Sequence, residues 1–165
     1  MSLLFMMPQW NAVSEVWMHR MIEELSPNIR ALVVNDSRGN KVWQEKIPVY
    51  SVNPAPHEIR YLSNIFRKIG FTLTKKKSNP DDQLNKILRT INPFSILCQY
   101  GTFAQSFMET WEKINIPLFI HFHGYDATFD LKIENSPEIN VHPSNYIENL
   151  RILEKRATFI ANSKF

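Results

Sequence analysis

The chain lacks several features that would assign it to a well-marked class of protein. Its 165 residues include a single cysteine, Cys98, which excludes an internal disulfide; the apolar stretch around it predicts a buried, unreactive thiol. No stretch approaches the roughly 20 consecutive apolar residues of a membrane span. The first apolar run, Leu3 to Met7, is too short for a signal peptide and has no basic start. These absences favour a cytoplasmic protein.

Glycine is scarce as well, with four in the whole chain. The sequence has neither the glycine-rich signature of dinucleotide-binding loops nor a Walker phosphate-binding loop. The net charge of +3 is mildly basic and partly local, in the run Lys75–Lys77. A solvated loop is one interpretation of this run, and contact with anionic lipid or a phosphorylated acceptor is the other. We expect no nucleic-acid partner.

What is present fits one domain of alternating strands and helices. The length suits a single core, and 44% hydrophobic with 21% charged residues is typical of a globular protein. Strands are predicted at Leu3–Met7, Ala31–Val34, Ile47–Val52, Phe71–Thr74 (an edge), Phe94–Cys98, Pro117–Phe122 and Thr158–Ala161. Helices are predicted from Ser14 to Pro27, over 59–69, from Asn79 to Ile91, from Thr102 to Ile114 and from Ser144 to Leu153, with a loop at Thr128–Pro143. This alternation predicts an α/β, Rossmann-like parallel sheet with helices on both faces.

The end of the sequence leaves this alternation incomplete. The last predicted strand is followed only by Asn162–Phe165, and the helix that should come next is missing. We therefore expect residues 1–165 to be the first domain of a longer protein.

The most informative motif, His121-x-His123-x-x-Asp126, closes an apolar run. In open α/β sheets, ligands bind beyond the carboxyl ends of the parallel strands, so these groups are expected where chemistry takes place. Three interpretations compete. The two imidazoles and the carboxylate could bind zinc or iron. One histidine could be packed while Asp126 caps the next turn. Alternatively, His123 presents a ring nitrogen to a substrate hydroxyl or phosphate, with Gly124 permitting close approach.

Two further strand-to-helix corners are candidate binding loops. The first, Pro8–Glu15, has an acidic residue in the first helical turn, so it suits a neutral sugar or a plain helix cap better than a tightly bound phosphate. At the second, Tyr100-Gly101-Thr102, Gly101 allows close backbone approach or forms an ordinary tight turn.

Several segments, spread in a fixed order over nearly the whole chain, together form a recognisable pattern: Pro8, Ser14-Glu15, His19–Ile22, Gln99–Gly101, Ile116–Leu118, His123–Asp126, Tyr146, Leu150 and Ala157–Ser163. Together they resemble the N-terminal domain of family 4 (group 1) retaining glycosyltransferases, closest to the exopolysaccharide and colanic-acid type. The most specific pieces are the run from Pro117 to His123-Gly124-x-Asp126 and the closing Ala157-x-Phe-Ile-Ala-x-Ser163.

That family has the GT-B architecture, in which two Rossmann-like domains face each other across a cleft. The resemblance implies that residues 1–165 are the acceptor-side domain and that the donor-binding C-terminal domain is absent from this chain. It implies a hexosyltransferase for polysaccharide or glycan assembly, cytoplasmic or peripheral at the inner face of the membrane. The partners would be a nucleotide-sugar co-substrate, a glycan or lipid-linked acceptor and the C-terminal domain, with no metal or other cofactor. The 165-residue chain alone would be inactive.

The resemblance also implies roles for individual residues. His123 and Asp126 would be catalytic, with His123 contacting the transferring sugar and orienting it. The substrate-binding residues would be Ser14, Glu15, Gly101, Gly124 and Tyr125, and Ser163 would end the last strand. The chain departs from the family at Gln99, where many relatives have a histidine, and in its first loop, which lacks the paired glycines.

Two alternatives to a glycosyltransferase remain open from the sequence. The first is a stand-alone flavodoxin-like binding or interaction domain without catalysis. The second is a metal-dependent enzyme that uses His121, His123 and Asp126.

Overall fold

The computed structural model describes residues 2–9, 16–36, 41–43, 46–53, 79–124, 126 and 145–161. Several predicted features lie outside these ranges: the helix over 59–69, the edge strand Phe71–Thr74, the lysine run Lys75–Lys77, the loop Thr128–Pro143, and the residues Ser14, Glu15, Tyr125 and Ser163.

The described residues form seven strands and five helices. The strands are β1 (Leu3–Gln9), β2 (Ile29–Asp36), β3 (Lys41–Trp43), β4 (Ile47–Ser51), β5 (Ser95–Gln99), β6 (Leu118–Phe122) and β7 (Ala157–Ala161). The helices are α1 (Val16–Leu25), α2 (Pro80–Ile91), α3 (Gly101–Ala104), α4 (Met108–Lys113) and α5 (Tyr146–Leu153), and a 3-10 turn, Gln105–Phe107, joins α3 to α4. None of the helices in these ranges has both the length and the apolar character needed to cross a membrane.

All of these strands belong to one sheet with the order β3-β4-β2-β1-β5-β6-β7. Every neighbouring pair is parallel except β3 and β4, which form an antiparallel edge. The six parallel strands follow the Rossmann order, with the reversal of winding between β1 and β5. A flavodoxin-like order would end at β2, whereas here β4 and β3 lie beyond it. The prediction of an α/β, Rossmann-like sheet is confirmed.

Helices cover both faces of the sheet, and β1 is accordingly apolar on both sides. Leu4 and Met6 belong to a core shared with α2, α4 and α5, whereas Phe5 and Met7 belong to a second core shared with α1. A strand that alternates between two apolar cores is expected to be a continuous hydrophobic run, as Leu3–Met7 is. The prediction of helices on both faces is confirmed.

Helix α2 begins as the sequence predicts. The side chain of Asn79 accepts a hydrogen bond from the Asp81 backbone N–H at 3.1 Å, Pro80 is the first helical residue, and Asp81 and Asp82 lie in the first turn. The helix ends at Asn92, whose left-handed backbone (φ of 46°) terminates the hydrogen-bond ladder.

The single helix predicted from Thr102 to Ile114 is wrong, because the segment is α3, a 3-10 turn and α4. Two backbone groups that would bond within a continuous helix, the Ala104 carbonyl and the Thr110 N–H, have side-chain partners instead. The indole N–H of Trp111 donates to the Ala104 carbonyl at 2.6 Å, and the backbone N–H of Thr110 donates to the Asp81 carboxylate at 2.8 Å. Asp81 therefore caps the start of α4 from the neighbouring α2, and the helix restarts there.

Smaller differences concern strand ends and one missed strand. Strand β5 runs one residue later than predicted, so Gln99 is part of it, and β2 extends beyond Ala31–Val34 at both ends. Strand β3 is not predicted from the sequence, because three residues beside a turn cluster are too few to show an alternating pattern.

Candidate functional site

The candidate site lies where the carboxyl ends of β5 and β6 meet. The two strands are in register so that Gln99 is paired with His121. Tyr100 and Gly101 follow β5, and His123 follows β6. Since β1 flanks β5 on the other side, these residues lie beside the reversal of strand order, where Rossmann-like sheets bind ligands.

A buried glutamine connects the two histidines. The Oε1 atom of Gln99, a fully buried residue, lies 3.1 Å from Nδ1 of His121 and 2.8 Å from Nε2 of His123. Its Nε2 atom lies 3.7 Å from the sulfur of Met21. The amide thus has partners at both of its ends, as a buried polar group requires.

Aromatic rings enclose His123. The ring centroids of Trp17 and Tyr100 lie 4.2 Å and 4.7 Å from that of His123, and the His121 ring lies 4.2 Å away. The ring of His123 therefore packs against an indole and a phenol at tilted angles, and these contacts restrict its rotation.

This environment keeps His123 uncharged at neutral pH. Burial, and after it the charge of His121, lower the pKa of His123 to about 4, with the Asp126 carboxylate acting in the opposite direction. A neutral imidazole has one N–H donor and one acceptor nitrogen, so His123 can exchange hydrogen bonds with an uncharged ligand.

Asp126 ties the loops after the two strands together. One of its carboxylate oxygens accepts the Gly101 backbone N–H and the other accepts the His123 backbone N–H, both at 2.7 Å. Its backbone carbonyl accepts the Tyr146 hydroxyl at 2.8 Å, which adds α5 to the same network. Asp126 is 2% exposed, so these are buried charge-assisted bonds that fix the position of His123.

Glycine is required at both positions of the site, for different reasons. Gly124 has a φ of +80°, and a Cβ atom added there would meet no atom within 4 Å, so its backbone conformation is the constraint. At Gly101 a Cβ atom would lie 2.5 Å from Cε1 of Phe122 and 2.6 Å from the hydroxyl of Tyr146. The close approach at Gly101 is therefore made by two side chains of the protein.

The metal interpretation gains no support from this geometry. In the part of the chain that the structure describes, no three histidine, cysteine, aspartate or glutamate side chains stand close enough together to hold a metal ion. His121 and His123 each direct a ring nitrogen at Gln99, and both carboxylate oxygens of Asp126 accept backbone N–H groups. The two imidazoles meet at an amide oxygen and the carboxylate faces backbone N–H groups, so the three side chains do not converge on a common metal position.

Comparison with known proteins does not assign a family. No protein-family model matches the chain, and a search of curated proteins finds no match either. The resemblance carried by Pro117 to Asp126 therefore stays a prediction, as do the roles it implies.

The structure brings four of the predicted site residues together: His123, Asp126, Gly101 and Gly124. The remaining three, Ser14, Glu15 and Tyr125, lie outside the described residues. Tyr125 falls between Gly124 and Asp126 in sequence, and Ser14 and Glu15 immediately precede α1. Their roles in substrate binding stay predictions.

Sequence reasoning misses three contributors to the site. Trp17 fits the apolar stripe of α1, but its ring packs on His123. In the sequence, Gln99 stands out only as a departure from a family pattern and Tyr146 only as a matching position. The available signal for Gln99 is its position at the end of a buried strand, where an amide needs partners.

A second polar cluster lies on the same edge of the sheet. At the carboxyl ends of β2 and β4, the Asn53 side-chain amide donates to the Asn35 side-chain oxygen at 2.7 Å, and the Ser51 hydroxyl donates to the Asn35 carbonyl at 3.2 Å. These side chains are uncharged, so this cluster presents neutral hydrogen-bonding groups at the carboxyl ends of β2 and β4.

Proposed function

We propose that this chain is the acceptor-side domain of a retaining glycosyltransferase, which transfers a hexose from a nucleotide-sugar donor to a hydroxyl acceptor. The observation that carries the proposal is the neutral His123 at the carboxyl end of β6, held by Gln99 and by the Asp126 loop. The sequence His123-Gly124-x-Asp126 at this place in the fold is the most specific part of the family resemblance.

The chemistry of the site suits a sugar. A neutral imidazole exchanges hydrogen bonds with hydroxyl groups without demanding a charged partner. Trp17 and Tyr100 provide apolar ring surface beside it, against which the carbon–hydrogen face of a pyranose can pack. Glycosyl transfer passes through an oxocarbenium-like transition state, so His123 would act by orienting the sugar as positive charge develops on the ring.

Asp126 enters the proposal as a positioning residue. Both of its carboxylate oxygens accept backbone N–H groups, one of which belongs to His123. It fixes the loop on which His123 and Gly124 lie. Its assignment as a catalytic residue stays a prediction.

The remaining partners follow from the same proposal. The donor would be bound mainly by a C-terminal domain of the same protein, and the acceptor would be a glycan or a lipid-linked sugar at the carboxyl edge of this sheet. We propose a cytoplasmic enzyme with peripheral membrane contact through Lys75–Lys77. Co-sedimentation with anionic vesicles at low salt tests that contact, and failure to co-sediment would dismiss it.

The proposal is tested on the protein expressed from its complete reading frame. A panel of nucleotide sugars is supplied with glycan acceptors, release of nucleoside diphosphate is measured, and the product's anomeric configuration is read by NMR. We expect retention of configuration and a fall in turnover of about 10²-fold or more for His123→Ala, the size typical of a lost transition-state contact. His19→Ala, a change of the same residue type on α1, is the matched control and should leave turnover within about twofold of the unchanged protein.

The alternative function predicts a different pattern. A stand-alone binding domain would bind a sugar saturably through this cluster and transfer nothing with any donor. Unchanged turnover in His123→Ala would instead remove the role assigned to His123.

A further inference from the structure

The side-chain amide of Gln99 determines which nitrogen of each histidine holds a proton. Its nitrogen faces the sulfur of Met21, and a thioether can only accept a hydrogen bond. Its oxygen therefore faces the two imidazoles, at 3.1 Å from His121 and 2.8 Å from His123. An oxygen accepts, so both facing ring nitrogens must be donors.

This arrangement places a proton on the ring nitrogen of each histidine that faces Gln99, and for His123 it selects one neutral tautomer. His123 carries its proton on Nε2 and its acceptor lone pair on Nδ1, whereas His121 carries its proton on Nδ1. The titratable groups of the described residues that act on His123 are His121 and Asp126. Because burial and His121 both disfavour its protonated form, the selected tautomer persists through the neutral pH range.

Few side chains can form this double bridge. An amide oxygen has two lone pairs and accepts from both imidazoles without adding charge. A histidine at the same position has one acceptor lone pair and could serve only one of the two rings. A glutamate could bridge both rings, but its negative charge would favour a protonated imidazole.

We propose that Gln99 is a positioning residue that fixes His123 as the neutral Nε2–H tautomer, in which Nδ1 is the acceptor nitrogen. The inference that this tautomer matters for turnover rests on the proposed function. The inference about the tautomer rests only on the contacts of Gln99, and the two can fail separately.

The tautomer is measured directly on the 165-residue chain. Long-range proton–nitrogen NMR spectra of the imidazole groups, at neutral pH, distinguish the two neutral tautomers from each other and from the cation. We expect the Nε2–H form for His123 and the Nδ1–H form for His121. An Nδ1–H form, or a cation, at His123 in the unchanged protein would overturn the proposal.

Two variants test whether Gln99 is the cause. Gln99→Met keeps a similar volume without the acceptor and should give a mixture of tautomers at His123. Gln99→Glu keeps the bridge and should raise the pKa of His123 while the proton stays on Nε2. A backbone amide spectrum like that of the unchanged protein shows that each variant is folded. If Gln99→Met is not folded, Gln99→Glu still decides, because a carboxylate can only accept, and an Nδ1–H form of His123 in that variant would contradict the assignment.

Turnover in the protein from the complete reading frame then tests whether the tautomer matters for the proposed transfer. Gln99→Met should lower kcat by up to about 10²-fold, as misplacement of a reacting group does. It should add little in a His123→Ala background, because both changes remove the same oriented contact. Full additivity of the two changes would show that Gln99 does not act through His123 in turnover, and the tautomer result would still stand. Absence of all transfer would count against the proposed function alone.

Discussion

Replacing Gly101 by alanine should destabilise the fold through two named contacts. The added methyl group would lie 2.5 Å from Cε1 of Phe122 and 2.6 Å from the hydroxyl of Tyr146. Overpacking a buried site of this kind costs about 1–3 kcal/mol. Moving the hydroxyl also weakens its hydrogen bond to the Asp126 carbonyl, for about 1 kcal/mol more. We expect Gly101→Ala to lower the free energy of unfolding by about 2–4 kcal/mol.

Urea unfolding followed by circular dichroism measures this loss, provided that the slope of the transition is unchanged. The matched control is Gly124→Ala, because a methyl group there meets no atom within 4 Å and is opposed only by the φ of +80°. That control should cost about 1–2 kcal/mol.

A double-mutant cycle with Tyr146→Phe isolates the hydroxyl contact. Removing the hydroxyl relieves the 2.6 Å contact, so the double variant should be more stable than the sum of the two single losses predicts. The reasoning is refuted if Gly101→Ala stays within about 0.5 kcal/mol of the unchanged protein, or if the two changes are additive within that margin.

Three further predictions concern the groups around the same cluster. The chemical shift of the Cε1 proton of His123 should change with a midpoint near the lowered pKa of about 4. In the unfolded chain the imidazole takes up a proton near pH 6.5. The stability contributed by this group is therefore present above about pH 6.5 and lost as the pH falls towards 4. An NMR midpoint near 6.5 would contradict this. Asp126→Asn should lower the free energy of unfolding by about 2–3 kcal/mol, because the amide NH2 group of the new side chain would face a backbone N–H donor. The control Asp82→Asn, at an exposed position, should cost less than about 1 kcal/mol. Equal losses in urea unfolding would contradict the role of Asp126 in joining the two loops. Cys98 is fully buried, and burial, helped by the Asp126 charge, raises its thiol pKa, so an aromatic disulfide reagent should label it only after denaturation; rapid labelling of the native protein would show that the thiol is accessible.

The sheet could be predicted because its signal is local. Buried parallel strands are continuous apolar runs bounded by turn residues, and Leu3–Met7 and Pro117–Phe122 have this pattern. The start of α2 at Asn79-Pro80 is equally local, since a cap and a first-turn proline are adjacent in sequence. The position of His123 follows from a general rule about the carboxyl ends of strands.

The details of the site depend on contacts between residues far apart in the chain. Gln99 meets His123 only because β5 and β6 are in register, and no local pattern contains that register. The break between α3 and α4 depends on Asp81, which lies 29 residues before Thr110 in sequence. Trp17 reaches His123 because of the rotation of α1 on the sheet, which the apolar stripe defines too broadly to choose one ring.

The hydrogen bonds of the cluster explain how the site can be oriented before any ligand arrives. Asp126 fixes the backbone of His123, Gln99 fixes its ring, and Trp17 and Tyr100 restrict the rotation of that ring. Such preorganisation removes a cost that binding or reaction would otherwise include. A glutamine suits this position, because its amide oxygen accepts from both imidazoles, whereas a histidine there would leave one of them without its acceptor. Gln99 therefore holds His123 through an acceptor that adds no charge, which is what the proposed transfer to a sugar hydroxyl would need.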